Sequence, residues 1–351
     1  MAPNVRTEAF LDLVLADMAG LAAAVMAAVG DRQGLVRALA EAGPMTADEL
    51  GGLAGIHPRY AREWSCGMTA AGYLHHDAGS DRFSLPPEHI PVVAEEAGPR
   101  FVGGTLAMMV GMLGVIPRLE GAFRTGAGIP MEAYGEDVFR HGERDMAGVY
   151  RNRLVSEWIP AMPAVRERLE AGVSVADVGC GGGLAIVVLA KAFPRSRFVG
   201  YDVFPPNVGR ATAAAADAGV GDRTRFVACD AAKGLAERHD LVFTFDVVHD
   251  ATDPSALLHA IREALPSEGR YVILEPRSAE ELDAHGRPID VVRYLFSLLY
   301  CMSTSLATEG AALGTLGTPE GVMRRLCSEA GFRNFRAVPV GGIHALYEAT
   351  A

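Results

Sequence analysis

From Phe10 to about Ala42 apolar residues recur at helical spacing, with Gly30, Gly34 and Gly43 as punctuation, and this predicts two or more helices. Thr46 then precedes Ala47-Asp48-Glu49-Leu50, a hydroxyl suited to capping a helix whose first turn is acidic. A further helix is expected from about Pro58 to Ala71. Tyr73-Leu74-His75-His76, a turn over Asp77 to Asp81, and Arg82-Phe83-Ser84-Leu85 predict a small hairpin. The first 90 residues thus form a mostly helical unit closed by two short strands.

Residues 91–168 keep helical periodicity but are interrupted by Gly and Pro, and include the stripe Met108, Met109 and Met112; they are expected to link and to act as a lid. From Val173 the pattern changes to short β-branched runs separated by helices, the mark of a parallel sheet covered on both faces. Strands are expected near Val173–Val178, Arg197–Tyr201, Thr224–Ala228, Asp240–Phe245, Gly269–Glu275, Asn334–Val338 and His344–Ala349. With 351 residues, too many for one ordinary domain, the chain divides into 1–90, 91–168 and an α/β domain over 169–351.

A formal net charge of −11 opposes binding to phosphate backbones. Cys66, Cys180, Cys229, Cys301 and Cys327 form no close pair, so neither a disulfide framework nor a zinc pattern is expected, and the chain reads as cytoplasmic. No run reaches the ~20 uninterrupted apolar residues of a membrane helix, and the start lacks a leader pattern. No membrane association and no metal are expected.

The strongest motif is Val175-Ala176-Asp177-Val178-Gly179-Cys180-Gly181-Gly182-Gly183-Leu184, a strand ending in an acid and then glycines at alternate positions before a helix. Such glycines permit positive φ and let a ligand lie against the backbone. A carboxylate here suits an ammonium group, whereas beside a pyrophosphate it sets like charges together. Phe198-Val199-Gly200-Tyr201-Asp202 ends the next strand with an acid at about the ~20-residue offset where a carboxylate meets ribose hydroxyls. Phe226-Val227-Ala228-Cys229-Asp230-Ala231 ends a third strand in the same way.

These three strand ends, with Phe245-Asp246-Val247-Val248-His249-Asp250, resemble class I S-adenosylmethionine-dependent methyltransferases over roughly residues 173–351. Arg59-Tyr60, Arg62-Glu63-Trp64 and Gly310-Ala311-Ala312-Leu313-Gly314-Thr315 resemble a bacterial, actinobacterial-type subgroup with an N-terminal winged helix. The resemblance implies a Rossmann-like seven-stranded sheet with the last strand antiparallel, S-adenosylmethionine as cosubstrate, a small-molecule acceptor and a homodimer made by the N-terminal domain. It assigns Asp177, Gly179, Gly181 and Gly183 to the methionyl end, Asp202 and Val203 to the ribose and one adenine face, and Asp230 and Ala231 to the adenine edge. Asp246 closes the pocket beneath the methionine portion. His249, in a His249-Asp250 pair, resembles the catalytic base of plant-type O-methyltransferases, with Glu275 orienting it; those enzymes usually carry tryptophan next, where this chain has Ala251.

Within the resemblance, transfer to a hydroxyl oxygen is expected ahead of transfer to carbon or nitrogen, and two readings outside it compete. In a DNA-binding regulator the first unit reads a groove, but residues 34–86 hold six acids against four arginines. In a nicotinamide-dependent oxidoreductase the loop cradles a pyrophosphate, which the glycine spacing and Asp177 disfavour.

Overall fold

The early helical periodicity resolves into α1 (Pro3–Arg32) and α2 (Leu35–Ala42), with Gly34 between them at φ 72°. Thr46 Oγ1 accepts from the Glu49 amide at 3.2 Å while the Glu49 carboxylate accepts from the Thr46 amide at 2.9 Å. This reciprocal cap satisfies two otherwise orphaned donors and opens α3 (Ala47–Ala54). α4 (Pro58–Ala70) follows, and then the antiparallel hairpin of β1 (His75–Asp77) and β2 (Arg82–Ser84). Leu35, Leu39, Leu50, Trp64, Met68 and Phe83 form the core of this unit, and Trp64 Nε1 donates to the Met26 carbonyl at 2.8 Å to bind α4 to α1.

The computed structural model describes residues 3–351 and falls into two compact units. The first takes in residues up to Gly111 together with Gly135–Val149, and the second Met112–Tyr134 and Tyr150–Ala351. The segment 91–168 is therefore shared between the two units and forms no third one. Its helical periodicity states that each helix buries a face, not which unit supplies the cover.

The second unit is built on a seven-stranded sheet: β3 (Ser174–Val178), β4 (Arg197–Asp202), β5 (Thr224–Ala228), β6 (Leu241–Phe245), β7 (Arg270–Pro276), β8 (Arg333–Val338) and β9 (His344–Thr350). Every strand bound falls within one residue of the sequence expectation. The spatial order is β5-β4-β3-β6-β7-β9-β8, and only β9 runs antiparallel to its neighbours. Val178, Tyr201, Val242, Ile273 and Tyr347 lie in its buried core. The direction of winding reverses between β3 and β6, so the crevice of this α/β sheet opens at their carboxyl ends.

Among the described residues, three helical stretches do have the length and composition of a bilayer span: Val5–Arg32 at mean hydropathy 2.0, Gly103–Thr125 at 1.4 and Pro288–Leu306 at 1.2. Polar residues such as Asp12, Asp17, Arg118 and Asp290 interrupt the apolar run in each of these.

Candidate functional site

The glycine loop leaves β3 with Gly179, Gly181 and Gly183 all at positive φ, 73°, 52° and 74°. Their reasons differ. A Cβ on Gly179 would fall 2.5 Å from Val247, and one on Gly183 would fall 2.8 Å from Ala211 and Phe226, so the chain's own packing demands those two. A Cβ on Gly181 meets nothing within 4 Å, so its side faces open space, as a ligand cradle requires. The amides of Gly179 and Cys180 donate to the Tyr201 carbonyl at 2.8 and 3.0 Å, and that of Gly181 to the Asp202 carboxylate at 2.8 Å. Asp202 also accepts from the Phe204 amide at 2.9 Å and from Asn207 Nδ2 at 3.0 Å. Burial pushes the Asp202 carboxyl above its usual range, against these three donors, which pull it down. Val203, beside it, is 61% exposed, an apolar face without cover.

Asp177 lies in the sheet interior at 2% exposure, with Oδ1 buried and unpaired. Desolvation, reinforced by the charge of Asp202, holds its carboxyl well above the usual range. Three further orphaned atoms gather at the same edge: Asp246 Oδ1, His344 Nδ1 and Trp158 Nε1. His344 Nε2 stands 3.4 Å from Asp246 Oδ2, and the His344 and Trp158 rings are 6.4 Å apart. Tyr150 opens a π-helical stretch, Tyr150–Trp158, and its hydroxyl lies in the fields of Asp246 and Asp177, with its ring 6.5 Å from Trp158. Asp246 follows β6 at φ 56°, a left-handed conformation that costs a non-glycine residue energy. Burial opposes its ionisation, but the charges of His344, His249 and Arg293 hold the carboxyl below its usual range. Each unpaired buried group costs about 1–3 kcal/mol, so four in one place fit a polar, partly cationic ligand that supplies their partners.

Beyond β6 the chain bends into the loop carrying His249. Its Nδ1 lies 2.7 Å from Glu275 Oε2, at the end of β7. Glu275 is fully buried and also accepts from the amides of Val247 and Val248 at 3.2 and 2.8 Å and from Thr318 Oγ1 at 3.2 Å. Desolvation disfavours the His249 imidazolium, but Glu275 and the Cys301 sulfur outweigh it and raise the pKa well above the ordinary histidine value. Asp250 is pushed up to about 7, first by burial, against the opposing pull of His249. The Gly310 to Thr315 segment clasps this loop, the Gly314 amide donating to the His249 carbonyl at 3.0 Å and the Ala311 amide to that of Thr252 at 2.8 Å.

The structure thus brings together Asp177, Gly181, Asp202, Val203 and Asp246 on one edge, with His249 and Asp250 in the loop after β6 and Glu275 near the end of β7. Asp230 sits differently: 42% exposed, it caps a short turn through the Ala232 amide at 3.1 Å and pairs with Lys233 at 3.2 Å. Ala231 is packed into the core. Sequence reasoning missed Tyr150, Trp158 and Thr318, which reach the site only through folding. It counted Cys301 only among five cysteines without a close pair, and expected no metal. His285 bonds to Tyr294 and the Ala279 carbonyl at 2.7 and 3.0 Å, whereas His249, Asp250 and Cys301 place donor atoms within 4.8 Å of one another.

Residues 169–290 match the methyltransferase domain family, and residues 21–94 match the Rv2258c-like winged HTH domain. A ubiquinone biosynthesis O-methyltransferase of Cereibacter sphaeroides is 34% identical over 101 residues, which cover 29% of this chain and 40% of that protein. The chain therefore spans about two fifths of the length of the curated relatives it matches. The structure of the mitomycin 7-O-methyltransferase MmcR superposes with TM-score 0.73 at 18% identity, covering 99% of both chains. That of human N-acetylserotonin methyltransferase, in complex with S-adenosylmethionine, does so with TM-score 0.71 at 18% identity and 97% of both. The whole chain shares this fold: a winged helix-turn-helix domain of the Rv2258c-like kind and, carrying the glycine loop, Asp177 and His249, a methyltransferase domain.

Proposed function

We propose that this protein transfers a methyl group from S-adenosylmethionine to a hydroxyl of a small molecule. One observation carries the reading: a buried, unpaired Asp177 carboxylate beside the open flank of Gly181 within a methyltransferase domain. Asp177 and the loop would hold the methionyl ammonium, with Gly179 and Gly183 shaping that loop, and Asp246 would close the pocket beneath. Asp202 and Val203 would meet the ribose and an adenine face, and Asp230 and Ala231 the adenine edge. The bound cosubstrate supplies an electrophilic methyl on a sulfonium.

The chain's own task is to align the acceptor and remove its proton. Glu275 fixes Nδ1–H of His249, which leaves Nε2 to take the hydroxyl proton. The raised pKa of His249 opposes that role in the ligand-free protein. A cation held by the neighbouring acids Asp177 and Asp246 favours the neutral ring and restores it.

The homodimer belongs to the same proposal. Residues 5–22 of α1 are exposed throughout, Phe10, Leu11, Leu13, Met18 and Leu21 among them at half their surface or more. A helix that exposes so many large apolar side chains needs cover, and a second copy of α1 supplies it. Arg62 and Arg82 are already paired with Asp81 and Glu49, which leaves little for a phosphate backbone. All five cysteines are free, in keeping with a reducing cytoplasm.

Calorimetric titration with adenosylhomocysteine, set against NAD, tests the reading. Saturable binding of the first alone, weakened in Asp177→Asn, is the expected result; heat from NAD alone would refute it.

A further inference from the structure

His249, Asp250 and Cys301 offer one nitrogen, one carboxylate oxygen and one sulfur, all within 4.8 Å of one another. The cluster combines residues from the loop after β6 with one from the π-helical stretch Ser297–Cys301. We infer that these three side chains form a site for a thiophilic divalent cation such as Zn2+, and that its occupation withdraws His249 from proton transfer.

Four features support the site. Metal bonds of about 2.0–2.3 Å in a tetrahedral arrangement place donors on the order of 3.5 Å apart, so small side-chain rotations close the cluster on an ion. Three protein donors of mixed N, O and S type with a fourth position left over is a zinc-like set, and the sulfur selects against Mg2+ and Ca2+. The outer shell is already built: His249 Nδ1 meets buried Glu275 at 2.7 Å, the carboxylate–histidine pairing that orients metal-bound imidazoles and leaves Nε2 as the donor. Thr315 Oγ1 donates to Cys301 Sγ at 3.1 Å, a hydroxyl placed to stabilise a thiolate, and Gly314 clips this segment to the His249 carbonyl.

Loading the ion releases both the thiol proton of Cys301 and the Nε2 proton of the His249 imidazolium to solvent and involves no redox change. The imidazole lone pair that binds the ion is the one a base uses, so metal and acceptor proton compete for it. The site itself stands on geometry alone; only its consequence for turnover rests on His249 being the base.

Chelator-treated full-length protein titrated with Co2+ tests the site through its thiolate-to-cobalt charge-transfer absorption, followed by displacement with Zn2+. The expected result is one equivalent bound, a band absent from Cys301→Ser, and zinc affinity lowered at least about 100-fold in that variant and about tenfold in Thr315→Ala. Asp250→Asn retains the band with weakened affinity, which separates loss of a ligand from loss of the fold. No saturable binding, or a band unchanged in Cys301→Ser, overturns the site. Stoichiometric Zn2+ that leaves methyl transfer undiminished overturns the competition. Failure of the methyltransferase reading shows instead as absent adenosylhomocysteine binding, with the cobalt spectrum intact.

Discussion

In the amino-terminal unit Arg62 meets Asp81 at 2.6 Å and Arg82 meets Glu49 at 2.8 Å, both pairs in reach of solvent. At the carboxyl edge of the large sheet Asp177 and Asp246 each keep a buried oxygen without a partner, although donors such as Tyr150 and His344 stand close by. Exposed ion pairs contribute little, and breaking them costs little. Buried unpaired groups cost stability continuously, and a fold retains them where a ligand repays that cost. The difference separates a surface arranged for solubility from an edge arranged for recognition.

The largest effect is expected from His249→Ala, at the recognition edge. Turnover is expected to fall by about 10²–10⁴, the range for a lost general base, while adenosylhomocysteine affinity stays unchanged in calorimetry. Unchanged turnover would reduce His249 to a packing residue.

Next is Asp177→Asn, expected to weaken adenosylhomocysteine about 10- to 100-fold, the worth of one charge-assisted hydrogen bond. Its ligand-free stability should move the other way with pH. The folded-state pKa of Asp177 is raised, so its contribution is fully present below the ordinary carboxylate pKa and is lost as pH rises from about 4 toward the raised value. Urea unfolding of the wild type against the variant should therefore show the variant gaining relative stability as pH increases. A constant difference would place the Asp177 charge elsewhere.

The glycines give a smaller and more discriminating contrast. Both Gly179→Ala and Gly181→Ala incur the left-handed penalty of about 1–2 kcal/mol. Only the first also drives a methyl into Val247, for a further loss of about 1–3 kcal/mol. Thermal melts should rank Gly179→Ala below Gly181→Ala, and ligand affinity should fall in Gly181→Ala despite its sounder fold. The smallest effect is Thr46→Ala in the amino-terminal cap, expected to cost about 1 kcal/mol in denaturation and nothing in turnover.

The strands were legible because β-branched runs bounded by Gly, Pro and Asp are local signals, and the glycine loop was legible because it is contiguous with β3. Asp177, Asp202 and Asp246 announced themselves by standing at strand ends. Thr318 and Cys301 did not: Thr318 reaches Glu275 across 43 positions, and Cys301 meets Thr315 only when a π-helical turn brings it round. Tyr150 and Trp158 sit in a stretch whose periodicity is neither 2 nor 3.6, so no simple face could be drawn through them. The division of 91–168 was hidden for another reason, since amphipathic helices declare a dry side without naming their neighbour.

The bond from the Gly181 amide to Asp202 has a consequence for how affinity will be read. One carboxylate both braces the loop and stands where a sugar would dock, so sculpting the cradle and gripping the nucleoside are a single act. Replacing Asp202 would slacken the brace along with the grip, and the loss measured would exceed the value of any contact to the ribose alone.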